Sequence, residues 1–235
     1  MRKIVYTLLT LITVACSKND NGFSLKGEIK GIKQGKLYLQ QIKDTLLVNI
    51  DSVIFDGQSD FLLKADIKEP EMLYLYLDRG ETNSLDNSLQ FFAESNPMSF
   101  NTSLDWFYKD AKFTGSKNQE LMETYQKNIQ KYKDRELELI EWEFRYKKLG
   151  KQQKLDSIFV DMHKLMRSQY LYVINFASSN NKHEVAPFIA VNNLSNARTI
   201  YLDTIYNKLP SNIASSKYGK MLDKMIKERK KLNIE

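Results

Sequence analysis

The chain has 235 residues, of which 42% are hydrophobic, 11% aromatic and 27% charged, with a formal net charge of +6. That composition excludes a disordered chain, a collagen-like repeat and a polytopic membrane protein, and the length fits one large domain or two small ones. One Cys excludes an internal disulfide, a CxxC redox pair and a multi-Cys zinc site, and two His leave little from which to build a histidine metal centre.

The N-terminus reads Met1-Arg2-Lys3, then twelve uncharged, mostly apolar residues from Ile4 to Ala15, then Cys16. A basic start followed by a short apolar stretch has the form of a signal peptide. Twelve residues are too few to span a bilayer, which takes about 20. Thr13-Val14-Ala15-Cys16 resembles a bacterial lipoprotein lipobox, although that family prefers Leu where Thr13 stands. The resemblance implies cleavage after Ala15 and acylation of Cys16, the only Cys in the chain. Residues 1–15 are thus expected to be a lipoprotein signal peptide, and residues 16–22 the lipidated Cys and a polar tether. Lys18-Asn19-Asp20 loosely resembles the charged signal that sends some lipoproteins to the outer face of the outer membrane.

From residue 23 to 115 the pattern is that of strands. Phe23 to Lys30 and Lys36 to Gln40 alternate apolar and polar, and Gly31 and Gly35 between them predict a hairpin. Further strand-like runs are Leu46 to Phe55, Asp60 to Lys64, Met72 to Leu77, Ser88 to Glu94, Met98 to Asn101 and Ala111 to Phe113. The run Leu73 to Leu77 is apolar on both faces, as a central strand would be. Short strands about ten residues apart predict an antiparallel sandwich or barrel.

Past Gly115 the period becomes helical. Leu121, Tyr125, Ile129 and Tyr132 begin one helix, which Leu137, Ile140 and Phe144 continue to an end at Leu149-Gly150. A second runs from Leu155 through Phe159, Met162 and Met166 to Ile174 and breaks at Ser178 to Asn181. Shorter helices are predicted around Val185 to Leu194, Arg198 to Leu209 and Ser216 to Lys231. The fold class expected is α+β: a β-rich domain over residues 23–115 and a helical domain over 116–235.

Few residues suggest chemistry. There is no phosphate-binding Gly loop, no nucleophile elbow and no HExxH pattern. His163 and His183 read as ordinary helix and loop residues. Asp51 interrupts an apolar strand, which fits an Asx-type turn or an outward position better than a catalytic carboxyl. The basic run from Lys217 to Lys231 reads as a solvated helix face, so no nucleic-acid partner is expected. Trp106, Phe107 and Tyr108 cluster in a loop or strand edge and are the candidate ligand-binding aromatics, since such rings stack on sugars and anchor protein interfaces.

Several motifs together resemble a known family. Leu25-Lys26-Gly27-Glu28-Ile29 with Gly35-Lys36-Leu37-Tyr38-Leu39 is similar to its opening strands, and Asp51-Ser52 with Asp56-Gly57 and Phe61 to its next segment. Pro70 to Leu75, Phe91-Phe92-Ala93-Glu94 and Phe113-Thr114-Gly115-Ser116 complete the likeness over about residues 23–127. It resembles the domain of unknown function that opens many bacterial envelope lipoproteins, commonly ahead of a thioredoxin-like AhpC/TSA domain. No thioredoxin-like pattern or second Cys follows here, so the family's thiol-disulfide activity is not expected. The expectation is a lipid-anchored, non-enzymatic binding or scaffold protein of the cell envelope, without cofactor or metal, held to the outer membrane and binding an envelope protein or a glycan. The alternative is an accessory module for a separately encoded thiol-disulfide redox protein.

Overall fold

The computed structural model describes residues 22–80 and 85–232. The expected signal peptide, Cys16 and the tether up to Asn21 lie outside the described residues. Eight strands come first: β1 Phe23–Lys30, β2 Gln34–Lys43, β3 Leu46–Asp56, β4 Asp60–Ala65, β5 Glu71–Asp78, β6 Ser88–Ala93, β7 Pro97–Ser103 and β8 Lys112–Thr114. They form two four-stranded sheets, ordered β4-β1-β7-β8 and β3-β2-β5-β6. Alternate residues of both sheets, among them Leu25, Leu37, Leu75, Phe91 and Phe100, fill one core between them. This is the sandwich rather than the barrel, and β5 is an interior strand of its sheet, as its doubly apolar sequence requires.

Two expectations are corrected. The segments around Gly31 and Gly35 do not form a hairpin: β1 pairs with β4 and β7, and β2 with β3 and β5, so the link between them crosses from one sheet to the other. Gly31, with a positive φ of 90°, provides the turn. The sandwich is also not wholly antiparallel, because β1 and β7 run parallel with Gly27 opposite Phe100. A Cβ on Gly27 would overlap the Phe100 carbonyl, which is why this central position is glycine.

Asp51 holds the open side of the sandwich together. An extra residue, Ile50, bulges β3 opposite Leu39 and Gln40 and bends this edge strand towards β4. The Asp51 carboxylate then accepts from Ser52 N–H (2.8 Å) and across the edge from Lys64 N–H (2.7 Å). Both are structural bonds of the kind expected for a turn carboxylate.

Strand ends at Thr114 and helix begins at Lys117, beside the boundary read from the periodicity. Gly115 turns the chain with a φ of 98°. Ser116 caps the first helix by accepting from Gln119 N–H (3.0 Å). The helices are α1 Lys117–Lys148, α2 Gln152–Ser179, α3 Val185–Asn193, α4 Thr199–Tyr206, α5 Ser211–Ala214 and α6 Lys217–Lys231. A second core lies among them and takes in Met72 and Phe92 from the outer face of the β3-β2-β5-β6 sheet.

Burial in this second core pushes the hydroxyls of Tyr125 and Tyr218 well above the usual tyrosine value of 10.0. Above about pH 10 the unfolded chain loses both protons while the folded chain keeps them. The unfolded state then binds fewer protons, so stability falls as pH rises, by up to about 2.7 kcal/mol per pH unit for the pair. Urea midpoints measured on either side of that pH will show the loss. A Tyr125→Phe/Tyr218→Phe variant will flatten it, and an equal slope in both proteins would contradict the assignment.

Candidate functional site

The joint between sandwich and helices is built from backbone groups that the sheet itself leaves unpaired. β6 is an edge strand, and Gln119 on α1 accepts its Phe92 N–H (2.7 Å). Beyond the last β2–β5 pair, Gln41–Leu73, the Tyr218 hydroxyl on α6 accepts from Met72 N–H (2.8 Å). Glu71, almost fully buried, accepts from Lys217 Nζ (2.5 Å) and Gln41 Nε2 (2.6 Å). Glu94 receives Ser116 Oγ and Asn118 N–H, both at 2.8 Å. Phe92 stands between Phe188 and Tyr218, with ring centroids 5.6 and 5.7 Å away. These carboxylates hold helices against a sheet, and nothing in their geometry pairs an acid with a base over open space.

α1 and α2 form an antiparallel hairpin whose far part reaches away from this joint. Beyond Ile129 on α1 and before Val173 on α2, only Leu139 and Ile158 are buried. The base of the hairpin is tied by stacked rings, Tyr125 and Tyr132 lying 5.8 and 5.7 Å from Tyr172. The α1 residues past Ile129 make about 28 Å of helix at 1.5 Å per residue, a stretch that packs mainly on its antiparallel neighbour.

This arm carries the most exposed apolar surface of the helical part. Phe144 and Phe159 are 71% and 64% exposed, with Leu137, Ile140 and Met166 also open. Two depressions of about 200 and 340 Å³ share Phe159 and Met162, so they form one groove between the helices. Glu136, Glu143 and Lys147 supply the α1 side of that groove. Ile140 lies four residues from Glu136 and three from Glu143, which puts it beside that side of the groove, whereas Phe144 directly follows Glu143 and lines neither depression. His163 lines the groove with its ring 4.4 Å from Phe159. Single-sequence reading placed these side chains on helices with one apolar face, but it could not tell that the body ends before them.

The aromatic cluster in the β7–β8 loop divides. Phe107 is buried and packs on Phe100 (6.0 Å), so it pins the loop to the sandwich core. Trp106 and Tyr108 are 58% and 64% exposed, and Lys109 Nζ lies 4.8 Å from the Trp106 ring. Tyr74 joins the helical core, whereas Tyr76 stacks on Tyr38 (6.2 Å). His183 lies in the turn before α3, where its N–H donates to the Asn180 carbonyl (3.1 Å). On α6, Lys227 pairs with Asp223 (2.6 Å) and Lys230 with Asp203 (2.8 Å), the solvated face that the charge pattern implied. No cluster of metal-ligating side chains occurs among the described residues. No helix among them is long and apolar enough to cross a membrane.

The fold defines a two-sheet β-sandwich carrying a helical unit with a projecting hairpin. Residues 23–122 match the family model of a domain of unknown function, DUF4369. The match runs past the last strand to Met122, the first of the α1 residues Met122, Tyr125 and Ile129 that enter the core shared with Phe92. No curated protein and no solved structure matches the chain.

Proposed function

We propose that the protein is a lipid-anchored component of the cell envelope that works by binding rather than by catalysis, with the sandwich as its rigid body and the α1–α2 arm as its binding surface. The observation that carries the reading is the apolar groove along Phe159, Met162 and Met166, together with Phe144 exposed on the α1 part of the same arm. Folded chains seldom leave several large apolar side chains open on one face unless something covers them. The anchor rests on the leader pattern ending at Cys16. The carboxylates Asp51, Glu71 and Glu94 are engaged in structural hydrogen bonds, which fits a scaffold.

The test is a pull-down from native membranes with the wild-type protein and a Phe144→Glu/Phe159→Glu variant. Envelope proteins held by the wild type and lost by the variant support the reading. Equal capture by both would reject the arm as the binding surface. A second reading places a glycan on Trp106 and Tyr108, favoured by the exposure of both rings. Glycan-array binding that disappears in Trp106→Ala would select it.

A further inference from the structure

We infer that the tip of the β2–β3 hairpin is a second membrane contact, which seats the anchor end of the sandwich on the lipid surface. The contact rests on the lipid anchor proposed above and goes beyond it, because it fixes which end of the body meets the bilayer. β1 starts at Phe23 and passes to β2 through the turn at Gly31, so β2 finishes at the end of the sandwich where β1 began. A depression of about 650 Å³ at that end is lined by Gly22, Phe23 and Pro97 together with Ile50, which brings the first half of β3 beside the start of β1. The β2–β3 ladder continues for two pairs, Ile42–Leu47 and Lys43–Leu46, beyond the last β2–β5 pair, Gln41–Leu73. It closes in a two-residue turn whose Asp44 has a φ of 56°.

The projecting pairs are apolar where a hairpin end in water is ordinarily polar. Ile42, Leu46 and Leu47 are 43%, 69% and 48% exposed. Ile42 and Leu47 stand opposite each other and share one face of the ribbon, while Leu46 points to the other, so the tip is apolar on both sides. Exposed apolar clusters mark contacts with proteins or membranes, and the chain ahead of the sandwich decides between the two. Cys16 lies six residues before Gly22, so acyl chains on it hold this end within about 20 Å of the bilayer. Lys43 and Asp44 offset each other at the turn, which leaves a wedge without net charge, suited to the boundary between headgroups and acyl chains. Three side chains orient an anchored body but do not retain a free one, so the acyl chains remain the anchor. At the opposite end Ser103 pairs with Lys30, and the loop with Trp106 and Tyr108 follows it. Seating the hairpin therefore turns those rings away from the lipid.

The experiment reconstitutes the full lipidated protein in phosphatidylethanolamine–phosphatidylglycerol vesicles containing nitroxide-labelled lipid and reads a fluorophore at Leu47→Cys. Acylation of Cys16 leaves the introduced thiol as the one to label. Quenching of at least about twofold is expected there, as for a side chain seated ~5–10 Å into the headgroup–acyl boundary. None is expected at Lys33→Cys, in the β1–β2 turn at the opposite end. Adding Ile42→Glu/Leu46→Glu to Leu47→Cys is expected to remove the quenching with circular dichroism unchanged, since both side chains are exposed. Equal quenching at Leu47→Cys and Lys33→Cys overturns the contact, as does quenching indifferent to the two glutamates. A protein that sediments with the vesicles while Leu47→Cys stays bright overturns the contact and leaves the anchor standing. One that fails to sediment rejects the anchor and the contact with it. A Leu47→Cys protein that is unquenched and cross-links to a second copy on mild oxidation would assign the tip to self-association instead.

Discussion

In our proposal Cys16→Ala is expected to move the protein from the membrane fraction into the soluble fraction of the envelope. Among the described residues no helix is long and apolar enough to cross a bilayer, and in our proposal the retention comes from the acyl chains carried by Cys16. Each buried methylene contributes about 0.8 kcal/mol, and a single acyl chain binds only reversibly, whereas two or more hold firmly. Removing the thiol removes every chain at once, so the change is close to complete. The folded body should be unaffected, because Cys16 precedes the first strand by seven residues. Fractionation with mass spectrometry of the N-terminal peptide checks both halves. An unmodified residue 16 in the wild type, or a variant that stays with the membrane, would reject the anchor.

Phe92→Ala is expected to cost about 3–5 kcal/mol, the range for emptying a fully buried aromatic site. Phe92 is 0% exposed and its ring meets Phe188 and Tyr218 edge-on, which themselves pack at 4.9 Å. Its neighbours are fixed by the backbone of β6 and by the bonds of Gln119 and Tyr218 to the sheet, so the cavity cannot close by a small shift. Against a typical total stability of 5–15 kcal/mol this is a large share. The melting temperature should fall by about 10 °C. The loss should appear first as proteolysis within the helices, because the sandwich core around Phe91, Phe100 and Phe113 is separate from the one Phe92 joins. A cost below about 1 kcal/mol, as for an ordinary surface change, would mean that the helices do not pack on the sheet as described.

The contrast between Phe91 and Phe92 shows how far the sequence could be read. Both look alike in an apolar strand run, and alternation alone says that they face opposite ways. One enters the sandwich and the other the helical core, an assignment that requires knowing which face of the sheet the helices cover. The aromatic triplet divides for the same reason. Phe107 is consumed by the core and Trp106 and Tyr108 are left outside, although the three are adjacent in sequence.

What the chain determined by itself was local. The change of period after Gly115, the eight strand segments and the long helices all follow from side-chain spacing within a dozen residues, where backbone geometry dictates the pattern. Partnership was decided only in three dimensions. Alternation along β1 and β2 states which side chains are buried but not which strand lies alongside, so a glycine-flanked pair that reads as a hairpin can send its strands to different sheets. The open groove on the arm is of the same kind: the apolar stripe is written in α1 and α2, but its exposure depends on where the body stops, and that is set by contacts between residues distant in sequence.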